Sequence, residues 1–145
     1  MAERRDRSER QSAAREVMQR IQQLGTLKEL SQAEFAEESG LAYRLAQEFS
    51  GEKLKPTQLR KVFHEFKRIQ RDVQRTRTFD RGRLVMLMPI LAYGVGRKHL
   101  PKEFYDILKL CLSSQKLQDA DDFNRAVEFM EAIMAYHKYL NPKGG

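Results

Sequence analysis

The chain has 145 residues, no long Gly, Ser or Pro tract, and a net charge of +7 from 27 basic and 20 acidic residues. That length predicts one domain that buries roughly two thirds of its unfolded surface and needs no covalent or metal staple. The single cysteine, Cys111, excludes an internal disulfide, and the longest apolar run, Leu84 to Tyr93, is broken by Pro89 and falls short of the roughly 20 residues a bilayer span needs.

From the N-terminus, Met1 to Arg10 is a mixed-charge run with no apolar stretch behind it. It reads as no secretory signal, so a cytoplasmic protein without a membrane partner is expected. Residues 1–11 are expected to be a disordered charged arm, 12–140 a helical domain and 141–145 a flexible C-terminus. Apolar spacing follows the helical period almost everywhere and alternates with period two almost nowhere, which predicts an all-α fold, a compact bundle of about five or six helices.

Val17, Ile21 and Leu24 mark a first short helix that Gly25 ends. Ser31 and Glu34 have capping-box spacing for a helix reaching Ser39; Gly40 stops or bends it, and Leu41 to Phe49 continues. Pro56 and Thr57 open a helix to about Arg75, with Leu59, Val62, Phe63, Phe66, Ile69 and Val73 on one side. Asp80 suits a cap for a helix from about Arg81, which Pro89 should kink or restart before Lys98. Pro101 opens a helix to about Ser114 in whose apolar pattern Cys111 is a core residue, and Asp121 is expected to cap the last, from Asp122 to Tyr139.

Charge is concentrated between Lys53 and Arg83, where eleven basic residues face three acidic ones for a net of +8. At 100° per residue, Arg60, His64, Lys67, Arg71 and Arg75 fall within about a quarter turn, with Lys61 and Arg68 flanking, opposite the apolar set. Successive i, i+4 members lie about 6 Å apart along the axis, a spacing that suits the phosphates of a nucleic-acid strand. Glu65 and Asp72 sit on the flank, placed to pair with Lys61 and Arg68, while the strip itself is expected to stay unneutralised. An ordinary solvated face intersperses both signs, so a polyanion partner is the better reading. Arg97 and Lys98, after Gly94 and Gly96, form a second basic spot; the two glycines read as aids to close helix packing.

Catalytic and metal signatures are absent from the pattern. His64, His99 and His137 lack partners at ligand spacing, and Asp119, Asp121 and Asp122 are better explained by helix capping than by a two-metal site. Binding without catalysis, metal or cofactor is expected.

Two resemblances bear on the partner. Leu30-Ser31-Gln32-Ala33-Glu34-Phe35-Ala36, with Gly40 as the turn glycine, resembles the start of a phage-repressor-like helix-turn-helix. The recognition helix would then be Ala42 to Glu48, yet Thr26 to Glu52 carries two basic against six acidic residues, which duplex phosphates would repel. A DNA-binding regulator through residues 30–50 is therefore one alternative, and a scaffold docking an acidic partner is another.

The second resemblance covers more of the chain. Lys55-Pro56-Thr57-Gln58-Leu59-Arg60-Lys61-Val62-Phe63, then Leu87-Met88-Pro89-Ile90-Leu91-Ala92-Tyr93 leading to Arg97-Lys98, then Phe129-Met130-Glu131-Ala132-Ile133-Met134-Ala135-Tyr136-His137-Lys138 resemble, in order, the signature blocks of the small subunit of type III-A CRISPR effectors, the Csm complex. The resemblance implies a non-cleaving helical subunit, present in stacked copies beside the repeated RAMP backbone subunits and the large polymerase-like subunit, along crRNA and target RNA. It implies RNA contact first by Arg60 and Lys61, and then by Arg97 and Lys98. With the charge pattern, the expected RNA-binding set is Arg60, Lys61, Lys67 and Arg71, then Arg97 and Lys98, then Arg68 and Arg75. Tyr93, Glu131 and Tyr136 are expected to hold helices together.

Overall fold

The computed structural model describes residues 12–51 and 53–143; the expectations for residues 1–11 and for the last two residues lie outside that range. Among the described residues every regular element is helical: α1 (Ala13–Gln23), a 3-10 turn (Leu27–Glu29), α2 (Gln32–Ala36), α3 (Leu41–Glu48), α4 (Pro56–Thr76), α5 (Arg81–Val85), α6 (Leu87–Gly96), α7 (Lys102–Cys111) and α8 (Ala120–Leu140). Six of these helices have eight residues or more, in keeping with the all-α bundle expected.

The hub is α8, which packs against α2, α3, α4 and the 3-10 turn. Its apolar positions Phe123, Ala126, Val127, Phe129, Met130 and Ile133 are all buried. Phe66 of α4 stacks on Phe123 with ring centroids 5.9 Å apart, and Phe35 of α2 meets Phe129 edge-on at 5.4 Å. One core therefore joins the N-terminal and C-terminal halves, as the size of the chain requires. Cys111 lies in it, and burial pushes its thiol up to about 12.

Several long basic side chains are spent inside the bundle on helix ends. Lys116, buried, donates to the carbonyls of Gln22 (3.0 Å) and Leu24 (2.5 Å) at the C-terminal end of α1. Arg81 donates to the carbonyls of Leu112 (3.1 Å) and Leu117, and Arg125 to those of Lys28 (3.0 Å) and Leu30. These carbonyls would otherwise be left dry, so the cations hold loops to the bundle.

Local punctuation departs from expectation in four places. The helix from Ser31 ends at Ala36: Ser31 Oγ accepts from the Glu34 N–H (3.3 Å), but the Glu34 carboxylate turns to Arg20 (2.5 Å) instead of closing a capping box. A Glu29 carboxylate instead accepts from the Gly25 and Thr26 N–H groups, both at 3.2 Å. The break before α6 falls at Met86, which places Pro89 in the first turn of α6, where its missing N–H costs nothing. The cap of α8 is Asp119, whose carboxylate accepts from the Asp122 N–H (2.9 Å), not Asp121; buried Asp122 in turn accepts from the N–H groups of Lys28 (2.8 Å) and Gln118 (2.9 Å).

The surroundings of α3 do not favour the helix-turn-helix alternative. On α3, Leu41, Ala42, Leu45 and Ala46 are buried against α1 and α8, Arg44 is paired with Glu16, and the Tyr43 ring abuts Tyr136 at 5.3 Å. With Glu48 also turned to the first N–H groups of α1, the outward side of α3 keeps few side chains for reading a major groove.

Candidate nucleic-acid interface

Helix α4 is the longest rod in the fold together with α8, and its two faces separate sharply. Pro56 supplies the first turn, where a missing N–H is harmless, and Leu59, Val62, Phe63, Phe66 and Ile69 are buried, with Val73 half-buried at the far end. With that stripe held by the core, Arg60, Lys61, His64, Arg68, Arg71 and Arg75 are all exposed along the opposite side. Lys67 is the exception: it is half-buried, and its Nζ donates to Gln70 Oε1 (3.1 Å) at the α8 side of the row.

The row is not uniformly unneutralised, which corrects the expectation. Glu65 accepts from Arg68 at 2.6 Å, while Asp72 lies 3.5 Å from Arg75 and also holds Arg83, from α5. Burial pushes the Asp72 carboxyl up, but Arg83 and Arg75 together outweigh it and hold the group below the usual carboxylate range. Lys61 and Arg71 have no ion pair among the described residues. The row thus has Lys61 and Arg71 without an ion pair among the described residues, Arg60 exposed beside them, and Arg68 and Arg75 on carboxylate tethers. Such surface tethers are weak, and a phosphate can replace them.

Arg97 and Lys98 form the C-terminal turn of α6, tied to the start of α4 by the Lys55 N–H donating to the His99 carbonyl (3.0 Å). Both are exposed, and Arg97 lies over the Tyr93 ring (5.7 Å) while donating to its hydroxyl (3.1 Å). Lys98 adopts φ 62°, the left-handed region that favours glycine, and has no ion pair among the described residues. Gly94 permits close packing as expected, since a Cβ there would meet Gln58 Nε2 at 2.7 Å; Gly96 borders open space and has no such role. Tyr136 does tie helices, through its hydroxyl to the Ala36 carbonyl, whereas Tyr93 (62 % exposed) and exposed Glu131 do not.

Arg83, with Asp72 as its tether, was absent from the expected set, because its nearness to α4 depends on how α5 folds back. Arg77 was also absent from it; this residue ends α4 at φ 60°, exposed and without an ion pair among the described residues. No group of three or more His, Cys, Asp or Glu side chains suited to a metal occurs among the described residues, and no helix there is long and apolar enough to cross a membrane.

Comparison with known proteins supports the second resemblance. Neither the curated proteins nor the solved structures contain a match. The family described as Csm2 Type III-A, however, matches residues 32–143, including all of α4, α6 and α8. The chain belongs to the Csm2 Type III-A family and is a small subunit of the type III-A CRISPR effector, the Csm complex.

Proposed function

We propose that the chain is a non-catalytic RNA-binding subunit that grips the sugar-phosphate backbone of crRNA and target RNA without reading sequence. The observation that carries this is the exposed basic row on α4, anchored from behind by a largely apolar buried face. Arg60, Lys61 and Arg71 make the first contacts, and the Arg97 and Lys98 turn a second one at the start of α4. Arg68 and Arg75 join when phosphates replace Glu65 and Asp72, and Lys67 contributes from the α8 side of the row. Arginine's planar fork suits bidentate phosphate contact, which ranks Arg60, Arg71 and Arg97 highest. Backbone contacts of this kind set register and affinity, while pairing between guide and target supplies sequence choice. Stacked copies beside the backbone subunits and the polymerase-like subunit would add their modest individual affinities through multivalency.

The test is a double charge reversal, Arg60→Glu with Arg71→Glu, titrated against several unrelated single-stranded RNAs. Affinity is expected to fall for all of them alike. Unchanged binding, or a loss confined to one sequence, would reduce the row to a solvated face.

A further inference from the structure

A cleft of about 400 Å³ opens where α4 ends and α8 begins, lined by Val73, Gln74, Arg77, Phe79, Ala120 and Asn124. We infer that this cleft takes one unpaired nucleobase of the strand whose phosphates lie on α4. The inference rests on the RNA-binding reading above and adds to it a second kind of contact, to a base instead of the backbone.

The lining has the chemistry a base needs. Phe79 is half-buried, packed on the core and bordering the cleft, so it offers an aromatic face supported from behind. Val73 and Ala120 supply an apolar floor. Asn124 is held in place from the row itself: Lys67 donates to Gln70 Oε1 (3.1 Å), and Gln70 Nε2 donates to Asn124 Oδ1 (3.0 Å). That bond occupies the Asn124 oxygen and leaves its amide nitrogen, which has no partner among the described residues, for a ligand acceptor. Gln74, exposed on the opposite wall, brings an amide with both a donor and an acceptor.

Charge gives the side on which the phosphate lies. Arg77 stands on the α4 rim, two residues beyond Arg75, with its backbone in the left-handed region that glycine would occupy more cheaply. Asp121, exposed next to Ala120, flanks the α8 rim, so the phosphate of the bound nucleotide belongs on the Arg77 side. An aromatic face, adaptable amides and a single cation match a heteroaromatic ring carrying a phosphate. A base within a duplex has its edge occupied and its faces stacked, so only an unpaired base can enter.

The experiment uses the full chain, a short oligouridylate containing one 2-aminopurine, and a blunt RNA duplex. Phe79→Leu keeps the apolar volume on the core but removes the ring, and Asn124→Ala removes the amide without touching Phe79. Each variant is expected to bind the single strand about 5-fold or more weakly, from the loss of one base contact, and to bind the duplex like the wild type. Quenching of 2-aminopurine by the wild-type protein is expected to disappear with Phe79→Leu. Wild-type protein that binds both RNAs while the variants match it, or lose both RNAs equally, overturns the cleft and leaves the backbone reading intact. Wild-type protein that binds neither RNA overturns both.

Discussion

Replacing Asp72 by Asn should strengthen RNA binding. Asp72 tethers two arginines beside the row, Arg75 at 3.5 Å and Arg83 through its other oxygen. Those arginines hold its carboxyl below the usual range, so it stays ionised throughout the neutral region and repels any phosphate lying on α4. The amide removes that charge at nearly constant shape and releases two exposed guanidinium groups. If the wild-type row neutralises about four phosphates, the log-log salt slope for single-stranded RNA is near −3, and each further contact adds about −0.7. One or two released arginines then bring the slope to between about −3.7 and −4.4, with the affinity gain largest at low salt. Fluorescence anisotropy titrations over a series of potassium chloride concentrations measure both quantities. Glu65→Gln, which frees only Arg68, should give the smaller of the two changes. A slope that stays put or becomes shallower in Asp72→Asn would refute the reasoning, because released cations would then have met no phosphates.

Three further outcomes follow from the core. Phe66→Ala, at a fully buried ring stacked on Phe123, should cost about 3–5 kcal/mol in urea unfolding, a large fraction of a domain's total stability. Burial holds the His137 imidazole below its ordinary value, although it is bonded to the Phe49 carbonyl at 3.3 Å, so the unfolded chain takes up that proton first. Stability from His137 is therefore complete above about pH 6.5 and declines as pH falls toward the lower folded value, a decline that His137→Asn should remove from the urea midpoint. Cys111, buried with its thiol pushed up to about 12, should resist maleimide in the native state and react only on unfolding.

What the sequence made legible was set by how strongly each signal was local. The α4 stripe follows from one uninterrupted period and occurs as expected, because no tertiary contact could rearrange it without exposing Phe63 or Phe66, whereas the pairing of Arg68 and Arg75 on the basic side departs from the expectation. Caps were less legible, since Asp119, Asp121 and Asp122 are chemically equivalent on paper. The choice fell to Asp119 because Asp122 is drawn inward by the N–H groups of Lys28 and Gln118. Partners across elements were illegible. Nothing in the spacing brings Arg83 to Asp72, Asn124 to Gln70, or Phe79 to the mouth of the α4–α8 cleft; each depends on a chain reversal whose angle is set by core packing.

The same packing explains why a chain with 20 acidic residues displays a basic surface at all. In the N-terminal half, acids are consumed as connectors: Glu16 holds Arg44, Glu34 holds Arg20, and Glu48 accepts from the first N–H groups of α1 at 2.7 and 3.1 Å. Asp119 and Asp122 do the same at the start of α8, with Lys28 only 2.5 Å from Asp119. Within the acidic stretch of residues 26–52, which argued against DNA on charge alone, Glu34 and Glu48 are thus directed at neighbouring helices, while Glu37 and Glu38 stay exposed. The C-terminal end of the basic segment works in reverse, spending Arg81 on carbonyls while leaving Arg60, Lys61 and Arg71 outside. Reversing a connector should therefore melt helix contacts, whereas reversing a row residue should leave the fold intact and alter only what binds to it. Urea midpoints of Glu48→Lys and Arg71→Glu separate the two cases, and a marked loss of stability in Arg71→Glu would mean that the row, too, is part of the scaffold.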